Sequence, residues 1–155
     1  MKKINVSAEH SYDVLIGEFD IDHLKPLLKD CSKVAFLYPS EISGMIDQIS
    51  AEWDLSVELI MIELPEGESQ KSADVLVEIW NTLSDHNFTR RDWIIGIGGG
   101  ATTDLAGFAA ASWLRGVNWV SVPTTVAGMV DAAIGGKTGI NIPSGKNLVG
   151  AFHSP

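Results

Sequence analysis

Apolar residues recur along the chain with two spacings, and their succession predicts the order of secondary-structure elements. Short alternating or continuous apolar runs are typical of strands, whereas apolar residues three or four positions apart are typical of helices. Two short strands joined by residues 8–10 are predicted within residues 4–17. Further apolar runs occupy residues 34–37, 56–64, 93–97 and 117–122, and helices are predicted at residues 21–30, 41–53, 73–83 and 101–113.

The alternation of strands with helices predicts a layered α/β fold with a mostly parallel sheet. The chain has 155 residues, of which 45% are hydrophobic and 20% charged, so it is long enough for one domain with its own core. The last 28 residues depart from the alternation because six of them are glycine (128, 135, 136, 139, 145 and 150). This density favours a ligand-facing surface and a loop-rich tail about equally.

The formal net charge of -9 argues against nucleic-acid binding as the main function. An anionic ligand would therefore need a few local Lys or Arg side chains and backbone N–H groups. Cys31 is the single cysteine, so no disulfide forms within the chain. No signal peptide and no apolar stretch of membrane-spanning length is found, and we predict a cytoplasmic protein that does not act on membranes.

A glycine-rich segment, Gly96-Ile97-Gly98-Gly99-Gly100-Ala101, joins a predicted buried strand to a predicted helix. Without Cβ atoms the backbone can turn sharply and approach a ligand closely, and the free N–H groups of the helix favour a pyrophosphate. The segment contains the dinucleotide pattern Gly96-x-Gly98-x-x-Ala101, but the acidic residue expected about 20 positions later is missing between Asp104 and Asp131. A tight strand–helix turn without a ligand is the alternative interpretation.

Two lysines near further glycines are candidates for anion binding. Gly136-Lys137-Thr138 resembles the end of a P-loop, but Asp131 occupies the position of the first glycine of that motif, so we reject it. Lys137, Lys146 and Asn147 still suit a phosphate or carboxylate ligand, and exposed loop residues are the alternative.

The remaining polar and aromatic residues carry weaker signals. Thr124 and Thr125 follow a strand, where open α/β sheets bind ligands, although a helix-capping threonine is equally common there. The four histidines show no metal-ligand spacing. We expect Cys31, Trp53 and Trp80 to be core residues, and the acidic residues Glu63, Glu66 and Glu68 to be a solvated loop.

Read together, several motifs resemble the 3-dehydroquinate synthase family in order and spacing, most densely over residues 65–155. The motifs are Gly67-Glu68-x-x-Lys71, Gly98-Gly99-Gly100-x-x-x-Asp104-Leu105-Ala106-Gly107-Phe108, Arg115-Gly116, Val122-Pro123-Thr124-Thr125, Asp131, Gly135-Gly136-Lys137-Thr138-Gly139-Ile140-Asn141 and Gly145-Lys146-Asn147-Leu148-Val149-Gly150-Ala151-Phe152.

The resemblance implies that residues 1–155 form a Rossmann-like, NAD-binding N-terminal domain. It implies a substrate position near Asp131, Lys137 and Asn147, and an Arg115 that reaches a substrate phosphate across the interface of a homodimer. The implied NAD contacts are Glu66, Gly67, Glu68, Ser69, Gln70, Lys71, Gly99, Gly100, Ala101, Thr102, Thr103, Asp104, Thr124, Thr125, Lys137 and Lys146.

The implied reaction converts 3-deoxy-D-arabino-heptulosonate 7-phosphate into 3-dehydroquinate and phosphate. NAD accepts a hydride, phosphate leaves by elimination, the hydride returns, and an aldol step closes the carbocycle. The family's divalent metal, zinc or cobalt, is held by a Glu and two His residues of a following helical domain. Those positions lie outside the 155 residues, so we expect this chain alone to lack a metal site and to be inactive.

One position departs from the family pattern. The family usually places an Asp after its second strand to hold the adenine-side ribose, whereas this chain reads Leu37-Tyr38-Pro39-Ser40. No ribose contact is therefore assigned. Three alternatives stay open: a related cyclase that makes an inosose or a valiolone, an alcohol dehydrogenase of the glycerol dehydrogenase type, and a non-catalytic dinucleotide-binding module.

Overall fold

A computed structural model describes residues 1–7, 10–53 and 56–155. The strands are β1 (Lys2–Val6), β2 (Tyr12–Ile16), β3 (Lys33–Pro39), β4 (Glu58–Leu64), β5 (Trp93–Gly98), β6 (Asn118–Pro123), β7 (Lys137–Ile142) and β8 (Gly145–Phe152). The α-helices are α1 (Ser43–Ala51), α2 (Ala73–Asp85) and α3 (Gly100–Ser112). Short 3-10 helices lie at Ile21–His23, Ser40–Ile42, Gly67–Gln70 and Trp113–Arg115, and a π-helical segment lies at Gly128–Ala132.

A four-stranded parallel sheet with the order β4-β3-β5-β6 forms the centre of the molecule. The prediction of an α/β fold with a mostly parallel sheet is thus confirmed. From β3 the chain moves outward to β4 and then returns to β5 on the other side of β3. The strand order therefore reverses between β3 and β5, which is the switch point where ligands bind in open sheets.

Both faces of the sheet are covered, which is why its strands read as continuous apolar runs. One face packs against α2 and α3 in a cluster that includes Leu37, Ile79 and Leu105. The other face packs against α1 and the segment before β3 through Leu28, Phe36 and Ile46. Trp53 and Cys31 pack, partly buried, against the second cluster and Trp80 against the first, so all three lie at the border of the core rather than inside it.

Helix α3 is buried on two sides because the sheet covers one and the β7–β8 hairpin covers the other. Small residues make both contacts possible. A Cβ atom at Gly96 of β5 would lie 2.5 Å from the Cβ of Ala106, and one at Gly107 would overlap Thr138 of β7. The helix is thereby fixed between two sheets, and its first turn faces the switch point.

Two sequence-based predictions need correction. Residues 21–30 form one 3-10 turn followed by hydrogen-bonded turns, not a helix, although Leu24 and Leu28 are buried as expected. A continuous helix does not form because the segment is short and Pro26 lacks the backbone N–H that a helical hydrogen bond needs. The turns are sufficient to bury the two leucines. Of the two interpretations of the glycine-rich end, the loop-rich tail is wrong, because residues 137–152 largely form the antiparallel β7–β8 hairpin. Of the predicted linker 8–10, residues 8 and 9 lie outside the described residues.

A carboxylate fixes the opposite, N-terminal edge of the sheet. Asp92 is fully buried, and its two oxygens accept hydrogen bonds from the backbone and hydroxyl groups of Ser32 and Thr89 and from the Lys33 amide, at 2.6–3.0 Å. Burial raises the pKa of this carboxyl, but the hydrogen bonds outweigh burial and leave the pKa below its ordinary value. Asp92 thus joins the starts of β3 and β5. Within the described residues, no helix is long and apolar enough to cross a bilayer.

Candidate functional site

The turn between β5 and α3 lies at the switch point and is shaped by close contacts. A Cβ atom at Gly98 would come within 2.5 Å of Thr102 Oγ1 and 3.0 Å of Pro39 Cδ. Only glycine therefore lets the end of β5 pass between α3 and the end of β3. Close approach of the backbone to a ligand is the predicted reason for these glycines. At Gly98 the close approach is to α3 and β3, so this glycine is needed for packing of the helix onto the sheet.

Helix α3 begins directly after this turn and offers N–H groups at its N-terminus. Gly99 caps the helix without a side-chain hydrogen bond, and its carbonyl accepts from the Thr103 amide at 3.1 Å. By helical geometry the amides of Gly100, Ala101 and Thr102 have no partner within the helix. A helix N-terminus of this kind binds anionic groups such as a pyrophosphate. The side chains of Thr102 and Thr103 are buried, so a ligand would meet their backbone.

The segment after β6 lies against the glycine turn. The Thr124 amide donates to the Gly98 carbonyl at 2.8 Å, and Thr125 Oγ1 accepts from the Gly128 amide at 3.1 Å. The Thr125 hydroxyl thus binds the first amide of the π-helical segment, and Thr125 also lies beside Gly99, whose Cβ position is 3.4 Å from Thr125 Cγ2. The two threonines predicted to contact the cofactor are therefore at the turn, and both are exposed.

A buried lysine joins three elements that are distant in sequence. Lys71 Nζ donates to Asp104 Oδ2 at 2.6 Å and to Asn147 Oδ1 at 2.5 Å. Only 3% of the Lys71 side chain and 21% of the Asp104 side chain are exposed. The loop before α2, the second turn of α3 and the β7–β8 hairpin therefore meet at one ammonium group. Three predicted site residues are brought together here.

The electrostatic surroundings of Asp104 are predominantly acidic. Burial raises the pKa of the Asp104 carboxyl above its ordinary value, the ion pair with Lys71 opposes the rise, and the nearby charges of Glu68 and Asp131 add to it. A hydroxyl or amide donor from a ligand would stabilise the ionised form. The cluster is thus suited to a ligand that presents hydrogen-bond donors beside an anion-binding helix end.

The loop before α2 owes its shape to its own side chains. Gly67 has the left-handed φ of +63°, Ser69 Oγ donates to the Glu66 carbonyl at 2.6 Å, and Gln70 Nε2 donates to the Gly67 carbonyl at 2.8 Å. Gln70 is buried, and its Oε1 has no hydrogen-bond partner within the described residues. Ser69 and Gln70 therefore hold the turn that presents Glu68 and Lys71.

The hairpin is connected to this loop by a second asparagine, Asn141. Its backbone N–H donates to the Lys71 carbonyl at 2.8 Å, and its side-chain Nδ2 donates to Glu68 Oε1 at 2.7 Å. Its side-chain Oδ1 accepts from the backbone N–H of Asn147 at 2.9 Å. Asn147 itself has a left-handed φ of +56°, a conformation that asparagine tolerates better than most residues. Asn141 lies inside one of the family motifs, but its position in the sequence alone indicates no role.

The end of β3 carries the position where the family pattern has an acid. Ser40 Oγ donates to Glu66 Oε1 at 3.2 Å. This edge abuts the glycine turn through Pro39 and Gly98. A carboxylate therefore lies beside the end of β3, although it comes from the loop that follows the neighbouring strand β4.

Three predicted residues are not joined to the Lys71 cluster. No hydrogen bond or ion pair within the described residues links Arg115, Lys137 or Lys146 to it. Arg115 follows the C-terminal end of α3, about 20 Å along the helix from the glycine turn. Lys137 opens β7 opposite Phe152, at the far end of the hairpin from Asn147. All three are exposed, and their assigned roles stay predictions. Nor do the described residues contain a cluster of His, Cys, Asp or Glu able to hold a metal ion.

Comparison with known proteins identifies the family. The family model for the N-terminal part of 3-dehydroquinate synthase matches residues 61–155. The 3-dehydroquinate synthase of Streptomyces avermitilis is 49% identical over 146 residues, which are 93% of this chain and 40% of that protein. The chain thus spans about two fifths of the length of this relative.

Solved structures share the fold. A 2-deoxy-scyllo-inosose synthase in complex with carbaglucose-6-phosphate, NAD+ and Co2+ has a TM-score of 0.89 at 24% identity over 99% of this chain and 44% of that chain. The 2-epi-5-epi-valiolone synthase of Streptomyces hygroscopicus, with NAD+ and Zn2+ bound, has a TM-score of 0.80 at 27% identity over 99% and 43%. Both alignments cover nearly the whole of this chain. Since the family model covers the turn, the lysine cluster and the hairpin alike, the chain belongs to the 3-dehydroquinate synthase family.

Proposed function

We propose that this chain is the NAD-binding part of a 3-dehydroquinate synthase. The observation that carries the proposal is the coincidence, at the switch point of the sheet, of the open N-terminus of α3 with the Lys71–Asp104–Asn147 cluster. The first feature suits a pyrophosphate and the second suits the donors of a ribose or an amide.

NAD fits the residues present. The diphosphate would lie at the amides of Gly100, Ala101 and Thr102, with Gly99, Thr124 and Thr125 beside it. Residues 66–71 and Asp104 would line one side of the cofactor. The carboxylate of Glu66, fixed by Ser40, would take the place of the missing acid at the adenine-side ribose. The NAD+ in the two cyclase structures supports this assignment.

The proposed substrate is a sugar phosphate, 3-deoxy-D-arabino-heptulosonate 7-phosphate. Bound NAD would supply the hydride acceptor and donor for a reaction that releases phosphate and closes a carbocycle. Asn147 and Asp131 would orient the substrate beside the cofactor, while Lys137, Lys146 and, from a second copy, Arg115 would stabilise phosphate charge. No step is assigned to a metal, because the described residues supply no ligand set.

Sequence identity favours this substrate over those of the inosose and valiolone synthases. The chain is 49% identical to a 3-dehydroquinate synthase but 24% and 27% identical to the inosose and valiolone synthases. In a polypeptide spanning the full length of the relatives, release of phosphate from the heptulosonate phosphate but not from hexose phosphates would confirm the assignment. Net accumulation of NADH would instead indicate a dehydrogenase. The homodimer, the cytoplasmic location and the inactivity of residues 1–155 alone stay predictions of the same proposal.

Calorimetric titration of NAD into this chain tests the nucleotide role directly. We expect saturable binding that Asp104→Ala weakens about tenfold, or about 1.4 kcal/mol, because the variant removes the carboxylate and leaves Lys71 without its ion pair. Asp74→Ala is the matched control, since Asp74 is an exposed acid in the first turn of α2. Absence of binding at millimolar NAD, both here and in a polypeptide of the relatives' full length, would refute the proposal.

A further inference from the structure

Three residues close a ring of hydrogen bonds at the turn of the β7–β8 hairpin. Lys71 Nζ donates to Asn147 Oδ1, and the backbone N–H of Asn147 donates to Asn141 Oδ1. The backbone N–H of Asn141 donates to the Lys71 carbonyl and closes the ring. The two bonds that involve side chains join residues 76 and 6 positions apart, and the third joins the backbone of the loop to the backbone of β7. The ring therefore fixes the hairpin against the loop before α2.

The orientation of both asparagine amides follows from partners with a single role. A backbone N–H can only donate, so the Oδ1 of Asn141 must face Asn147. Its Nδ2 is then directed to Glu68 Oε1 at 2.7 Å, and an ionised carboxylate can only accept. In the same way the lysine ammonium requires the Oδ1 of Asn147, so the Nδ2 of Asn147 remains for a ligand. No acceptor for that Nδ2 is found within the described residues.

We propose that Asn141 is a positioning residue that sets Asn147 and Glu68 for the cofactor and substrate. Its side chain holds one ligand-facing residue on each side: its Oδ1 accepts from the backbone N–H of Asn147, and its Nδ2 donates to the Glu68 carboxylate. No contact of Asn141 with cofactor or substrate is proposed. The inference rests on the proposed nucleotide role of residues 66–71 and goes beyond it, because it assigns to one side chain the positions of both Asn147 and Glu68.

The donor and acceptor pattern permits a reversal of polarity as a test. Asn141→Asp keeps an oxygen for the Asn147 amide but places a second carboxylate opposite Glu68, so repulsion replaces a hydrogen bond. Glu68→Gln alone keeps an acceptor oxygen for Asn141. In the double variant the glutamine amide donates to the new carboxylate, which restores the bond in the opposite sense. A merely space-filling role for Asn141 predicts no such rescue.

The experiment measures two quantities on wild type, the two single variants, the double variant and Asn81→Asp. Asn81 is an exposed asparagine of α2 and controls for the added charge. The first quantity is the NAD dissociation constant. The second is amide hydrogen exchange of residues 137–152 relative to β3 and β5, without ligand. We expect Asn141→Asp to weaken NAD binding about tenfold and to speed exchange of the hairpin alone. The double variant should recover normal hairpin exchange and the NAD affinity of Glu68→Gln alone.

A double variant no better than the product of its two single variants would overturn the inference. So would normal hairpin exchange and NAD affinity in Asn141→Asp. If wild type binds no NAD in any length of polypeptide, the proposed function fails. The exchange measurement then still decides whether Asn141 fixes the hairpin, so the two failures can be told apart.

Discussion

The four-stranded sheet and the β7–β8 hairpin are held in place by different forces. The sheet is covered on both faces, and Phe36, Ile94 and Ile95 are fully buried. The hairpin buries one face on α3 and leaves the other open, so that Leu148 is 63% and Phe152 85% exposed. Its attachment to the loop before α2 depends on the few hydrogen bonds around Lys71 and Asn141.

This difference explains where the candidate site lies. The sheet provides a rigid edge with backbone N–H groups at the start of α3, which suits binding of a constant anionic group. The hairpin contributes side chains whose position depends on polar contacts, and regions of that kind open at a lower free-energy cost than a buried core. A site built at the junction combines a fixed half with an adjustable half. Substitutions should therefore separate loss of the fold from loss of the site.

The largest effect is expected at the N-terminal edge of the sheet, with Asp92→Asn. The substitution replaces one carboxylate oxygen by an NH2 group, which cannot accept hydrogen bonds from the donors that face it. The free energy of unfolding should therefore fall by about 3 kcal/mol. Asp85→Asn is the matched control, because Asp85 is exposed at the end of α2. Urea unfolding measures both variants. A change at position 92 no larger than at position 85 would mean that the buried hydrogen bonds contribute nothing net.

The same residue gives a pH dependence with a definite sign. The folded-state pKa of Asp92 lies below its ordinary value of 3.8, which stands for the unfolded chain. The associated stability is therefore complete above that value and is lost as the pH falls through the folded-state pKa. The stability difference between wild type and Asp92→Asn should stay constant near neutral pH and shrink only in acid below 3.8. A difference that shrinks above pH 5 would contradict this assignment.

An intermediate effect confined to the hairpin is expected for Gly150→Ala. An added Cβ would overlap the Thr138 carbonyl of β7 and lie 3.0 Å from the Gly139 Cα, so the two strands must separate. Overpacking of this kind costs about 1–3 kcal/mol. Hydrogen exchange should accelerate in residues 137–152 but not in β3 or β5, and NAD affinity should fall. Gly44→Ala in α1 is the control, because nothing lies within 4 Å of its Cβ position. Equal exchange in both regions would show that they open together.

The contrast between the two regions also decides what the sequence alone can predict. Strands β3 to β6 follow from continuous apolar runs, since burial on both faces of the sheet leaves such runs, and helices α1 and α2 follow from apolar residues at helical spacing. The hairpin was missed because only Thr138, Gly139 and Ile140 of β7 are buried, whereas the large apolar residues Leu148 and Phe152 of β8 are exposed, so burial leaves no regular alternation. Its register depends on close contact between Gly139 and Gly150, which is a tertiary property.

The candidate site divides in the same way. The glycine turn and its anion-binding helix end are visible in consecutive residues of the sequence. Lys71 and Asp104 were expected only through the family resemblance, and Asn147 was expected from the residues only as part of an anion-binding segment. Their contact was not predicted, because separations of 33 and 76 positions carry no local signal. Asn141 and the Ser40–Glu66 pair required the structure, since each acts through a partner from another element.

The smallest effect is expected for Ser40→Ala, which sharpens the comparison on the sheet side of the site. The variant removes the hydroxyl that donates to Glu66 at 3.2 Å and leaves this exposed carboxylate less ordered, so NAD binding should weaken about two- to fivefold, or about 0.5–1 kcal/mol. If the carboxylate lies at the ribose, it also repels the 2′-phosphate of NADP, and Glu66→Gln should narrow the preference for NAD over NADP. Ser84→Ala, at an exposed serine of α2, should change neither affinity. An unchanged ratio of NAD to NADP affinity in Glu66→Gln would mean that the ribose lies elsewhere along this edge of the sheet. The contrast between a fixed anion site and adjustable side chains would then also hold at the adenine end of the cofactor.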